Sequence, residues 1–159
     1  MTSSMFRGAL LGAGLLALSC GGSSGGPNTG IPDAGQVIDC STDARVTAYK
    51  PNLTVSSASG ALKFQLVQSN PGPPARGTDT WTMMVTDAAG APMPGLSLSV
   101  LPFMPDHGHG TSVDASVTAT GGGSYTVAPL YFFMPGVWRT TFTSATPADT
   151  AVFFFCIPG

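Results

Sequence analysis

The chain is 159 residues long and carries 6 lysines and arginines against 8 aspartates, with no glutamate and a formal charge of −2. That length suits one ordinary domain, and so sparse a set of cations leaves no basic face to follow a phosphate backbone, which removes nucleic acid from the expected partners. Only 9% of residues are charged while glycine reaches 21 and proline 14, a balance that excludes a bundle of charged amphipathic helices and points to short strands joined by turns.

Arg7 precedes an apolar run from Gly8 to Leu18, and Ser19-Cys20 follows. This is the layout of a secretory signal peptide. The run is too short to cross the roughly 30 Å hydrocarbon core, which takes a helix of about 20 residues. The sequence "LLALSC" resembles the processing box of bacterial lipoproteins, with Ala17 at the third position before the cysteine where leucine is usual. The resemblance implies that residues 1–19 are removed and Cys20 is acylated, so that the mature chain is anchored to a membrane without spanning it. Gly21 stands where some bacteria use an aspartate for inner-membrane retention, which leans toward the outer membrane, with the domain facing the periplasm or the cell surface. Residues 20–39 are rich in Gly, Ser and Pro and cannot bury enough surface to fold, so they read as a flexible tether. Their "GSSGG" matches G-x-S-x-G, but that pattern has meaning only on a strand-to-helix turn.

Setting aside a lipidated Cys20, the three cysteines leave Cys40 and Cys156, one at each end of residues 40–159. An exported compartment permits them to pair; Cys156 as a soft metal ligand is the competing reading. Between them the apolar residues alternate in short runs. "RVTAY" and "LTVSS" come first. "ALKFQLVQS" then sets Leu62, Phe64 and Leu66 against Lys63 and Gln65, and "TDTWTMMVTD" aligns Trp81, Met83 and Val85. "GLSLSV" aligns Leu96, Leu98 and Val100, "GSYTVAPLYF" Tyr125 and Val127, "VWRTTFTS" Trp138, Thr140 and Phe142, and "TAVFFFC" Val152, Phe154 and Cys156. Strands of this length and spacing predict an all-β, immunoglobulin-like β-sandwich of about seven to eight strands, with a barrel as the second choice. Trp81 and Trp138 are expected in the core.

One stretch departs from this plain alternation. "FMPDHGHG", residues 103–110, holds both histidines of the chain together with Met104 and Asp106. It lies in "VTDAAGAPMPGLSLSVLPFMPDHGHG", and further on comes "GGGSYTVAPLYFFMPGVWRTTFT". In order these give a D-x-x-G-x-P turn, a strand ending in M-P-x-H-G-H, a G-x-Y strand and a M-x-G-x-W strand. Over roughly residues 79–157 the arrangement resembles the YtkA-like domain, related to the FixH-like family. The resemblance implies a small extracytoplasmic sandwich, often met in envelope lipoproteins and associated with copper handling. It carries over to Met104, His107, His109, Met134 and Trp138.

The donor chemistry agrees with that implication. Thioether sulfur suits Cu(I), and neutral imidazole suits copper in either oxidation state. Met104, His107, His109 and Met134 are therefore the expected copper ligands, with Asp106 behind an imidazole as its orienting partner. The competing reading is a polar loop over two core methionines, in an envelope module that only meets a partner protein. Two histidines and one aspartate would just reach the three ligands of a zinc hydrolase, but would leave the methionines idle. Catalysis is not expected. There are no paired acids at a recognisable spacing, and a triad drawn from Ser112, His107 and Asp114 has no oxyanion donor.

Overall fold

The computed structural model describes residues 39–159; the expected signal peptide, Cys20 and nearly all of the tether lie outside them. Nine strands are formed: β1 (Leu53–Ser56), β2 (Leu62–Asn70), β3 (Gly77–Asp87), β4 (Leu98–Met104), β5 (His109–Gly110), β6 (Ser116–Gly121), β7 (Ser124–Phe132), β8 (Gly136–Ala145) and β9 (Ala148–Ile157). They make two antiparallel sheets, one in the order β1-β2-β3-β7-β6 and the other β5-β4-β8-β9. With β1 set aside as an added edge, these are the ABED and C′CFG orders of an immunoglobulin sandwich.

The alternation read from the sequence places most inward faces correctly. Phe64, Leu66, Trp81, Val85, Val127 and Trp138 are wholly buried. Trp81 spans the gap between the sheets, with its ring 5.5 Å from Phe155 and 6.0 Å from Phe153, both edge-on. Such aromatic pairs contribute about 0.5–1.5 kcal/mol each beyond the area they bury.

Three expectations are corrected. Residues 45–49 are not a strand; they form part of a strap along β9, where Thr47 N donates to Phe154 O. Two strands were not foreseen: β5 has two residues, and β6 is an exposed edge whose sequence, "SVTATG", carries no apolar alternation. The face of β9 is reversed. Ala151, Phe153, Phe155 and Ile157 point inward, and Val152 and Phe154 outward. The run Ala-Val-Phe-Phe-Phe is apolar on both sides, so its pattern cannot choose a face; the register against β8, with Phe155 opposite Trp138 and Phe153 opposite Thr140, does.

Cys40 and Cys156 are joined, with their Cα atoms 5.3 Å apart. This disposes of Cys156 as a metal ligand, because a disulfide sulfur is not a thiolate. The bond fixes the start of the strap to the end of β9.

Candidate metal centre

The 103–110 stretch turns back on itself at the end of β4. Gly108 N and His107 N both donate to Met104 O, at 2.9 and 3.3 Å. Gly108 sits at φ +70°, a left-handed conformation that costs glycine nothing sterically. The chain re-enters the sheet as β5 with His109 opposite Met104. Met104, the last inward residue of β4, is fully buried; His107 is exposed and His109 half-buried.

The turn brings the two imidazoles together, with ring centres 5.6 Å apart and planes at 76°. His109 Nδ1 lies 3.1 Å from Gly110 O. A carbonyl only accepts, so Nδ1 is the donor there, and in the neutral ring the lone pair then falls on Nε2. The same ring stacks on Phe133 at 5.5 Å, and Phe133 meets Trp138 edge-on at 5.8 Å.

The second segment lies between β7 and β8. Trp138 Nε1 donates to Met134 O at 2.9 Å, which fixes the turn that holds half-buried Met134 against the core. Gly136 stands at φ +131°, and a Cβ there would fall 2.8 Å from Met104 Cε. The segments around residues 104–109 and 133–137 thus meet in three places. His109 lies on Phe133, the Met104 methyl lies against Gly136, and His107 lines a cavity of about 350 Å³ with Pro135 and Gly136. Gly136→Ala is expected to lower stability by about 1–3 kcal/mol, mostly through backbone strain because the Met104 methyl can yield. Urea denaturation measures this, and an unchanged midpoint would contradict the strained backbone at Gly136, whose φ is +131°.

Asp106 points elsewhere. Its two carboxylate oxygens accept from Arg45 Nη1 and Nη2, each at 2.7 Å, and Arg45 also reaches Asp43 at 2.6 Å. The guanidinium holds the Asp43 carboxyl down at about 2 and Asp106 below the usual carboxylate range, while its own pKa is raised by the two acids. The partner that the fold gives Asp106 is therefore a guanidinium and not an imidazole. Arg45 and Asp106 are exposed and Asp43 is half-buried, so the network lies at the surface, adds little to stability and serves local positioning. Nothing in the spacing of the sequence points to Arg45, 61 residues from Asp106, and Phe133 reads as one more core aromatic.

No group of three histidine, cysteine, aspartate or glutamate side chains placed to hold an ion occurs among the described residues. An ion at this loop would rest on two imidazoles and need further donors of another kind. Met104, opposite His109 across the β4–β5 pair, is a residue of suitable chemistry that the fold sets beside the loop.

A family model described as YtkA-like matches residues 56–143, from the end of β1 into β8, and so takes in both segments of the site. No curated protein and no solved structure matches the chain.

Proposed function

The chain belongs to the YtkA-like family, and from that premise we propose that it is a non-enzymatic protein of the bacterial cell envelope that binds copper for handling or delivery. The ligands in this reading are His107, His109, Met104 and Met134. Acylation at Cys20 would tether the domain to a membrane, the outer membrane being favoured, where it would meet an envelope protein.

The spacing of the two rings carries the reading. An ion about 2.0–2.1 Å from an imidazole nitrogen, as in zinc sites, lies roughly 3.2 Å from the ring centre, so two imidazoles sharing one ion have centres about 5–6.5 Å apart. His107 and His109, at 5.6 Å, fall in that interval as they stand. The tautomer of His109 adds support, since its Nε2 is available while Nδ1 is held. With only two nitrogen donors at the loop, thioethers would complete the set, from Met104, which lies opposite His109 across the β4–β5 pair, and from Met134. A ligand set of imidazole and thioether favours copper over harder ions.

Titration of the full chain with Cu(I) and with Cu(II), beside the double variant His107→Ala/His109→Ala, tests the proposal. Loss of partners that merely orient a ligand weakens metal sites by about 10–100-fold, so loss of both imidazoles is expected to cost at least about a hundredfold. Equal affinities of the two proteins would leave the histidines as the shapers of a loop.

A further inference from the structure

The outer face of the β5-β4-β8-β9 sheet is more apolar than a solvated face needs to be. Leu101 is 59% exposed, and it stands out as an exposed large hydrophobic residue among the described residues. In register, Leu101 lies opposite Thr141 and Thr141 opposite Val152; in the next row on the same face Phe103 lies opposite Arg139 and Arg139 opposite Phe154. Leu101 and Phe103 of β4 and Val152 and Phe154 of β9 therefore flank Thr141 and a single cation on β8. The Arg139 guanidinium carbon sits 5.0 Å from the centre of the Phe103 ring. Arg139 forms no ion pair among the described residues, and its Nε is buried without a hydrogen-bond partner.

We infer that this face is a docking surface for a protein segment that presents a carboxylate between apolar side chains. The argument is one of charge and desolvation. An arginine surrounded by water gains little from an arriving acid, because both must shed solvent. Arg139 has no acidic partner among the described residues and its guanidinium lies on Phe103 with Nε already shut off from water, so the fold has imposed part of the desolvation that an ion pair costs, and a carboxylate meeting the outer Nη groups supplies the missing counter-charge. The flanking Phe103, Phe154 and Leu101 supply the dry surround in which such a bond holds.

Two other occupants fit less well. A second copy whose two-fold axis passes through the centre of this face would bring Arg139 against Arg139, two like charges within an apolar interface. An anionic membrane surface gains about 1 kcal/mol from one cation, and the chain's charge of −2 opposes it, as does the Asp106 side chain, 51% exposed beyond the end of β4. The inference goes beyond the copper reading and does not rest on it, although Phe103 and Arg139 adjoin Met104 and Trp138 in sequence.

The test uses the ¹⁵N-labelled full chain and the capped tripeptide acetyl-Leu-Asp-Phe-amide, with acetyl-Leu-Asn-Phe-amide as its uncharged match. Amide shifts should centre on Leu101, Phe103, Arg139 and Phe154, and the aspartyl peptide should bind about tenfold more tightly than the asparaginyl one. Arg139→Gln should abolish that difference, and Leu101→Ser should weaken both peptides. Equal binding of the two peptides, or shifts centred elsewhere, would overturn the proposal. So would Arg139-dependent sedimentation with phosphatidylglycerol vesicles, or a Leu101-dependent dimer in sedimentation velocity, each of which gives the face to another occupant.

Discussion

Replacing Cys40 and Cys156 together by serine is expected to remove about 4–5 kcal/mol of folding stability. The bond closes a separation of 116 residues, and in the chain-entropy model a loop of about 100 residues restricts the unfolded chain by about 4.7 kcal/mol. In the native state the loss falls on the strap. Beyond the disulfide, the strap is held by the Thr47–Phe154 backbone bond, by the Arg45 pair with Asp106, an exposed ion pair that contributes at most about 1 kcal/mol, and at its far end by Tyr49, whose hydroxyl accepts from Ser69 N at 3.1 Å and whose ring meets Phe155 edge-on. The part of the strap before Tyr49 should therefore fray while both sheets persist. Urea denaturation of the double variant against the parent reads the stability, and hydrogen exchange at Thr47 N reads the strap. A drop below about 1 kcal/mol, or a Thr47 amide as protected as before, would mean that the strap is held by contacts other than this bond.

The second large effect is a pH dependence that runs against the usual direction for a carboxylate. Asp79 lies on the inward face of β3 and is wholly buried. Burial raises its pKa to about 6, outweighing the Ala75 N–H, the Trp81 indole and the Ser69 hydroxyl, which favour the charged form. The opposing contacts are weak. Ala75 N and Ser69 Oγ are 3.3 and 3.4 Å from Oδ2, and neither Asp79 Oδ1 nor Trp81 Nε1 has a partner at full hydrogen-bond geometry. A folded-state pKa above the unfolded value of 3.8 means that folding takes up a proton. The contribution of Asp79 to stability is thus complete below the unfolded pKa and is lost as pH rises through about 6. A rise of this size corresponds to at most about 3 kcal/mol, and to about 2 once screening by nearby water is allowed for.

Asp43 and Asp149 act in the opposite sense. Their folded pKa values are depressed, the first by Arg45 and the second by the hydroxyls of Ser57 and Ser59, so their stability is lost as pH falls below the unfolded value. The two windows adjoin at the unfolded carboxylate value, so these three groups together favour the fold most at mildly acidic pH. Denaturation series between about pH 4.5 and about pH 7.5 should show the parent weakening as pH rises and Asp79→Asn free of that slope. A parent that gains stability across the same interval would refute the assignment. The slope is the chosen readout because the asparagine amide would face donors at Ala75 or Trp81, so the absolute stability of the variant is not a clean measure of the charge.

The chemistry of the candidate site was legible before its geometry. "HGH" after a strand ending in methionine names two imidazoles and a thioether, and those identities do not depend on the fold. How they stand to one another does depend on it. The rings meet because Gly108 takes a left-handed turn under two bonds to Met104 O, and the second segment reaches them because Gly136 lacks a side chain where the Met104 methyl lies. Asp106 had every appearance of an imidazole's neighbour, yet a strap from far along the chain supplies Arg45 to it.

By itself the sequence determined the class of fold and most inward faces, because strict alternation of apolar and polar residues commits a strand to one orientation. Where that alternation fails, the chain is locally silent and the tertiary structure decided. The three phenylalanines of β9 are equally apolar on either side, and the pairing of that strand with β8 alone turned Phe154 outward beside Arg139. The polar edge β6 and the strap at residues 45–49 were settled in the same way, by backbone groups finding partners on distant strands, a choice made by long-range pairing that leaves no local trace in residue order.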